Sequence, residues 1–368
     1  MLSTSNGSVI RNPVCFYHHY SLPIPPTLPK LGFFVDPEKV SFFNVQYAPW
    51  IPAMTIDIDV VVHEVGPRDG LQAVNAIYPT QGKLEWIEAE AAAGVRQIQV
   101  GSFVPPKLLP QLADSGEVVR RSKQIPGLQV TALVPNLKGA QNAVAAGVDT
   151  VNFVLSVSEE HNRKNVRRSL NDSLEDFSRI VQFCNDEANG KELIVSGGMA
   201  TCFGCTIGGR IPESEVFRVA ESLIKRGAHR IGLADTVGYA NPAQVNRIFT
   251  EVLDIAGDDV GVGAHFHDTR GLGLANVYAA VEAGVREFDS TLGGLGGCPW
   301  APGATGNIVT EDLVFLLESM GLRTGVDLDK LMTAREIMVS YLDDEPSIHG
   351  AYALAGAPKG FVPASAPT

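Results

Sequence analysis

Positive charge is scarce in this chain of 368 residues: 29 Lys and Arg face 41 Asp and Glu, a formal net charge of −12. That balance excludes broad binding to a phosphate backbone, so no nucleic-acid partner is expected, although a local site for a small anion remains open. Cysteine is scarce as well. Five cysteines, an odd number on so long a chain, do not make a disulfide scaffold. They point to a reducing compartment, the cytoplasm first and the mitochondrial matrix as the alternative. No apolar run approaches the roughly 20 residues of a membrane span, so no membrane partner is expected. The first 53 residues lack acids other than Asp36 and Glu38 and lack any helical or strand period, yet hold eight of the 23 prolines. With no apolar h-region and with Arg11 as its only arginine, this stretch makes a poor signal or transit peptide. It reads as an irregular, disordered extension, or as translated upstream sequence before a start at Met54.

Apolar residues, by contrast, are plentiful, at 45% against 19% charged, which is enough for a sizeable core. From Val60 onward short β-branched runs alternate with longer amphipathic stretches. Val60–Val65, Gln97–Val100, Gln129–Leu133, Thr150–Leu155, Glu192–Ser196, Arg230–Leu233, Gly261–His265 and Glu287–Ser290 read as strands. Helical periodicity marks Gly82–Ala93, Ser115–Ser122, Leu137–Ala146, Leu174–Glu187, Ser214–Arg226, Pro242–Ile255, Leu274–Ala283 and Glu311–Met320. Gly94, Gly147, Gly227, Gly284 and Gly321 stand where a left-handed residue closes a helix, and Thr310 stands at an N-cap position. Eight β-then-α units with none left over predict an α/β fold of the closed (β/α)8 TIM-barrel type, whose active site lies at the C-terminal ends of the strands. A doubly wound open sheet competes, but no G-x-G-x-x-G follows the first strand. The chain then divides into the extension at 1–53, a barrel domain at 54–326, and a C-terminal helix with a loose tail at 327–368.

Strand ends are therefore where chemistry is expected. The first strand runs into Glu64-Val65-Gly66-Pro67-Arg68-Asp69-Gly70-Leu71-Gln72, a charged triplet inside a Gly/Pro turn that stability alone explains poorly. Its plain alternative is a turn in which Asp69 bonds local amides. The seventh strand ends in His265-Phe266-His267, and residues two apart on a strand share a face. Both imidazoles then project into the barrel mouth, where Asp69 can add an oxygen, because strand eight returns beside strand one. Such mixed ligation with open positions suits a divalent cation, Mg²⁺ or Mn²⁺ ahead of Zn²⁺, since no thiolate obviously joins. After the eighth strand, the run Gly293–Asn307 is rich in glycine and places Cys298 on a segment built for close approach to a ligand. Asn307 at its end can supply a neutral oxygen ligand. Cys202 and Cys205 form a C-x-x-C without a second pair and are read as structural, as are His63, His161 and His229.

The turn Gly66–Gln72 resembles the 3-hydroxy-3-methylglutaryl-CoA lyase family. So do Ser102-Phe103-Val104, Pro135–Gly139, Ala234–Gly238, His265–Thr269, Gly294–Pro299 and Gly306-Asn307 followed by Thr310–Leu313. The likeness runs in unbroken order from about Val60 to Val326, and the loop with Cys298 is its most specific element. It implies a barrel that holds a divalent metal through Asp69, His265, His267 and Asn307, and that cleaves a tertiary 3-hydroxyacyl-CoA to acetyl-CoA and a keto acid. The implied substrate is 3-hydroxy-3-methylglutaryl-CoA or a close relative such as citramalyl-CoA, and the implied assembly is a homodimer. The cleavage needs the hydroxyl proton removed and a home for charge on the departing thioester enolate. A cation lowers the hydroxyl pKa, Arg68 stabilises the enolate oxygen, Cys298 protonates the carbanion, and His265 can relay a proton besides ligating. Gln72, Gln99 and Lys138, with Arg68, are the expected substrate contacts, and Lys107, Arg163 and Lys164 are further basic residues near strand ends.

Two departures bear on the substrate: Ala73-Val74-Asn75 replaces the Asn-Glu-Lys run usual in the family, and Gln99 replaces a Glu. Two other readings are weighed against the lyase. A Claisen-type synthase acting on a 2-oxo acid shares the Arg-Asp turn and the H-x-H, but needs a further C-terminal domain. A non-catalytic metal-binding barrel would account for the lost charges.

Overall fold

The computed structural model describes residues 58–188, 193–297, 306–342 and 348–366. The expected extension at 1–53 and Cys298 lie outside these residues. Eight parallel strands close into a barrel in chain order: β1 Val61–Glu64, β2 Gln97–Ser102, β3 Gln129–Val134, β4 Thr150–Ser156, β5 Ile194–Ala200, β6 Arg230–Asp235, β7 Gly261–Phe266 and β8 Glu287–Ser290. The barrel is sealed by β8, which pairs with β1 from Val61↔Glu287 to Glu64↔Ser290. Around it run α1 Thr80–Ala93, α2 Ser115–Ser122, α3 Leu137–Ala146, α4 Leu170–Glu187, α5 Glu213–Lys225, α6 Pro242–Ala256, α7 Gly273–Ala283 and α8 Thr310–Ser319. A short helix, Glu159–Val166, precedes α4, and α9 Leu328–Ser340 follows the barrel. Among the described residues no helix is long and apolar enough to cross a membrane.

Alternation along the strands sorts the side chains into two sets. Outward residues such as Val62, Ile98, Val130, Val151, Val195, Ile231, Val262 and Phe288 are buried against the helices and form the core. The inward set is polar. His63 reaches Thr131 across the barrel at 3.0 Å, and Arg230 bonds Gln97 at 3.2 Å and pairs with Glu287 at 2.5 Å. A barrel interior of largely bonded polar groups, with the helix-facing layer mostly apolar, pairs buried charges while the hydrophobic driving force acts outside the sheet.

Most boundaries fall within two residues of the sequence expectation, and the five helix-closing glycines all have positive φ. Three differences have physical reasons. β5 extends to Ala200 rather than ending at Ser196, because Gly197 and Gly198 lie against Leu223 and Val154, where a Cβ would be crowded at 3.0 Å. Thr310 opens α8 but does not cap it: its hydroxyl donates to Glu64 Oε2 at 2.6 Å and lies 2.8 Å from Ser290 Oγ. The tail at 348–366 is also pinned, contrary to the loose tail expected. Asp312 accepts the backbone N–H groups of Ala351 and Tyr352, Glu318 accepts from Ser365, and Phe361 packs on Phe315 with ring centres 5.1 Å apart.

Candidate metal centre

β1 leads into a wide π-helical turn over Gly66–Gly70, a rare geometry that is frequent at functional sites. Val65 O accepts from both Arg68 N and Asp69 N, so the turn closes tightly on the strand end. Only glycine fits at its start, since a Cβ on Gly66 would lie 2.4 Å from Glu64 Oε1. Glu64 faces outward and is fully buried, accepting from Gly66 N and Leu292 N with one oxygen and from Thr310 with the other. Burial pushes its carboxyl up to about 8 against those three donors. One side chain thereby ties the start of the Arg68-Asp69 turn to the base of the glycine-rich loop.

The turn delivers Asp69 to the barrel mouth, where it meets His265 from β7 and His267 just beyond it. One ligand atom from each of the three lies within 4.8 Å of the others, and all three residues are largely buried. Asn307 is brought alongside by a short segment that runs between the ends of β7 and β8. Asp268 N donates to Gly306 O, Ile308 N to Phe266 O and Thr291 N to Ile308 O. There Asn307 Nδ2 donates to Asp69 Oδ2 at 2.9 Å, while its buried Oδ1 has no hydrogen-bond partner.

Each imidazole is oriented by its Nδ1. That of His267 lies 2.8 Å from Thr236 O, and that of His265 lies 3.2 Å from Asp289 Oδ2. With Nδ1 so used in each ring, the two Nε2 atoms face each other at 3.3 Å, and each presents a lone pair when its ring is neutral. Two imidazole nitrogens, an adjacent carboxylate and an unsatisfied amide oxygen make an acceptor-rich pocket of the kind that suits a cation. Electrostatics divide the pair. Burial and then the His265 charge push the His267 ring down to about 4, leaving it neutral as a ligand must be. At His265 burial is outweighed by Asp289 and Asp69, which raise the ring, and a bound cation would displace its Nε2 proton. Burial would raise the Asp69 carboxyl, but Arg68 and the two histidines outweigh it and hold the group below its ordinary value. The expected ligand set Asp69, His265, His267 and Asn307 thus converges.

Arg68 and Gln99 join the same site. Arg68 Nε donates to Gln99 Oε1 and Nη1 to Asp69 Oδ1, while among the described residues nothing bonds Nη2. Gln72 Nε2 donates to Asp69 Oδ1 at 2.8 Å. Gln99 is fully buried at a register shift in β2, and its Nε2 has no acceptor. Lys138 stands apart from this cluster. It lines a cavity of about 410 Å³ with Ser102, Phe103, Pro106, Asn136 and Gly139, where α2 and α3 begin. Arg163 is drawn off by Glu159 at 2.7 Å on the same helix. Sequence reasoning missed Asp289 and Thr236, and set His63 aside although it bonds Asp289 and Thr131. The available signal was the alternation Glu287-Phe288-Asp289, which puts two acids on the inward face of β8.

Residues 59–338 match the HMGL-like family model. Hydroxymethylglutaryl-CoA lyase of Bacillus subtilis is 40% identical over 275 residues, 75% of this chain and 90% of that protein. The mitochondrial enzyme of the same name from Rattus norvegicus is 39% identical over 296 residues, 80% of this chain and 89% of that one. A solved HMG-CoA lyase of Acinetobacter baumannii, in complex with coenzyme A and 3-methylmalate, superposes with a TM-score of 0.76 at 44% identity. It covers 84% of this chain and 99% of its own.

Proposed function

The chain belongs to the HMGL-like family and is a carbon–carbon lyase of the hydroxymethylglutaryl-CoA lyase type, and we propose that it works through a divalent cation held by Asp69, His265, His267 and Asn307. The substrate is 3-hydroxy-3-methylglutaryl-CoA, cleaved to acetyl-CoA and acetoacetate, or a close 3-hydroxyacyl-CoA such as citramalyl-CoA. The grouping of Asp69, His265 and His267 beside Arg68 is the observation that carries this reading. Mg²⁺ or Mn²⁺ suits a set of two imidazoles, a carboxylate and an amide oxygen with positions left open. When bound, the cation polarises the substrate's hydroxyl and lowers its pKa.

The chain's own residues divide the remaining work. As the Cys298 thiolate takes the hydroxyl proton, the C2–C3 electron pair moves toward the thioester, and charge gathers on its oxygen. Arg68, braced by Gln99 and Asp69 with Nη2 uncommitted, stabilises that oxygen. Gln99 Nε2 supplies a second donor to a substrate oxygen. Cys298, on the glycine-rich loop, returns a proton to C2. His265 acts as a ligand only. With Nδ1 on Asp289 and Nε2 in the cluster it keeps no free nitrogen for the relay expected of it. Lys138, beside the α3 N-terminus in the 410 Å³ cavity, receives a phosphate of CoA.

A substrate panel tests the reading: the Mn²⁺-loaded protein is expected to release acetyl-CoA from 3-hydroxy-3-methylglutaryl-CoA. No acetyl-CoA from that thioester or from citramalyl-CoA would overturn it. Faster cleavage of citramalyl-CoA would move the substrate assignment and point to Gln99 and Ala73-Val74-Asn75 as its cause. Acetyl-CoA-dependent thiol release with 2-oxo acids would instead favour condensation. Among the described residues Cys184, Cys202 and Cys205 are free thiols, which fits the cytoplasm, with the mitochondrial matrix as the alternative. A homodimer is the assembly proposed, and sedimentation of the full chain tests it.

A further inference from the structure

Below the cation site lies a chain of bonded side chains that the cleavage mechanism does not use. Asp289 of β8 stands between two imidazoles: its Oδ1 is 2.8 Å from His63 Nδ1 and its Oδ2 is 3.2 Å from His265 Nδ1. His63 is in turn anchored on its other side, Nε2 lying 3.0 Å from the Thr131 hydroxyl, which also reaches Ile98 O. The arrangement spans β3, β1, β8 and β7, so it exists only in the closed barrel. Arg230 Nη2 approaches Asp289 Oδ1 at 3.9 Å and adds a cation without a hydrogen bond.

We infer that Asp289 is a positioning residue for the metal site, holding His265 in the tautomer and ring orientation that present Nε2 to the cation, with His63 and Thr131 as the brace that fixes Asp289. A neutral imidazole has a single ring proton. One nitrogen must carry the hydrogen, and only a bare Nε2 can ligate here. An ionised carboxylate is acceptor-only, so Asp289 selects the Nδ1–H form. It also adds negative charge behind the ring, which makes His265 a stronger donor toward a cation. His267 receives the same service from a backbone carbonyl, that of Thr236, which no substitution removes. Asp289 is therefore the replaceable half of the orientation. The brace matters because a carboxylate can swing about its χ torsions. With Oδ1 tied to His63, Oδ2 stays directed at His265.

This inference rests on the proposal that Asp69, His265 and His267 hold a cation, and the test separates the two. The full chain, stripped with EDTA, is titrated with Mn²⁺ while free Mn²⁺ is followed by electron paramagnetic resonance, for wild type, Asp69→Ala, Asp289→Asn, His63→Leu and the His63→Leu/Asp289→Asn double variant. Asp289→Asn is expected to weaken Mn²⁺ binding by about tenfold to hundredfold. His63→Leu is expected to weaken it by less, and the double variant to bind no more weakly than Asp289→Asn, because His63 acts through Asp289. Saturating Mn²⁺ is expected to restore most of the turnover of Asp289→Asn, as it would not for a misfolded barrel. Wild-type affinity in Asp289→Asn, with binding lost in Asp69→Ala, overturns the inference and leaves the metal site standing. Absence of Mn²⁺ binding by wild type removes the site itself. If Asp289→Asn does not fold, His63→Leu decides alone, and an unchanged Kd in that folded variant overturns the inference.

Discussion

Replacing Arg68 with Gln separates charge stabilisation from metal binding, and the structure sets the size of both effects. The guanidinium is buried, bonded to Gln99 Oε1 and Asp69 Oδ1. At about 4 Å and an effective dielectric near 20, its attraction for an enolate oxygen is about 4 kcal/mol. Removing one preorganised donor of this kind costs about 10²- to 10³-fold in kcat. Metal affinity has little reason to follow. Asp69 keeps Gln72 on Oδ1 and Asn307 on Oδ2, so its orientation survives. The lost cation also ceases to repel Mn²⁺, which offsets any loosening of the turn. Mn²⁺ affinity is thus expected to change by less than about threefold, short of the tenfold to hundredfold that follows loss of an orienting partner. Gln99 Oε1 is left without its donor next to an already unpartnered Nε2, a stability cost of about 1–3 kcal/mol. The assay is acetyl-CoA release at saturating Mn²⁺ alongside a Mn²⁺ titration of the same sample. Turnover within a few-fold of wild type, or a fall in metal affinity as large as the fall in kcat, refutes the role given to Arg68.

The remaining predictions concern the scaffold and the CoA end. Gly294 has φ +66°, and a Cβ there would lie 2.3 Å from the His349 ring. Gly294→Ala is expected to cost more than about 1 kcal/mol and to open residues 348–366 to limited proteolysis; an unchanged cleavage pattern counts against the docking of that segment. Glu64 titrates at about 8 in the fold against 4.5 unfolded, so its contribution is complete below pH 4.5 and is lost as pH rises to 8. That loss amounts to up to about 1.4 kcal/mol per pH unit. Glu64→Gln, which keeps the neutral form, should show a smaller drop in urea midpoint between pH 5 and pH 8 than wild type, and equal drops contradict the assignment. Lys138→Ala is expected to raise KM roughly fivefold with kcat unchanged, the upper range for an exposed ion pair. A thioester lacking the CoA phosphates should show no such change, and an equal rise in its KM removes Lys138 from the phosphate site.

Local pattern made the barrel legible. Eight β-branched runs, each followed by an amphipathic stretch and five of those stretches ending on a left-handed glycine, leave few other closures. The same holds for the grouping of the candidate metal ligands: a two-residue spacing put His265 and His267 on one face, and the return of β8 beside β1 brought Asp69 to them. What stayed hidden depends on register across the barrel. His63 finds partners on β3 and β8, strands not next to it in sequence, so nothing local distinguished it from a passive core histidine. Thr310 has the residue type of an N-cap, and only the burial of Glu64 behind it shows where its hydroxyl goes. The pinned tail escaped notice because Ala, Pro and Gly carry little periodicity, whereas its anchors are backbone groups meeting Asp312 and Glu318.

The central claim is that carbon–carbon cleavage depends on a cation held by Asp69, His265 and His267. Its most direct test titrates EDTA-stripped protein with Mn²⁺ and follows bound metal and acetyl-CoA release from 3-hydroxy-3-methylglutaryl-CoA in the same samples. The account predicts that turnover rises in proportion to occupancy, saturates at about one ion per chain, as the one three-residue cluster among the described residues implies, and is absent in Asp69→Ala. Full turnover in the stripped protein, or wild-type turnover in Asp69→Ala, would contradict it.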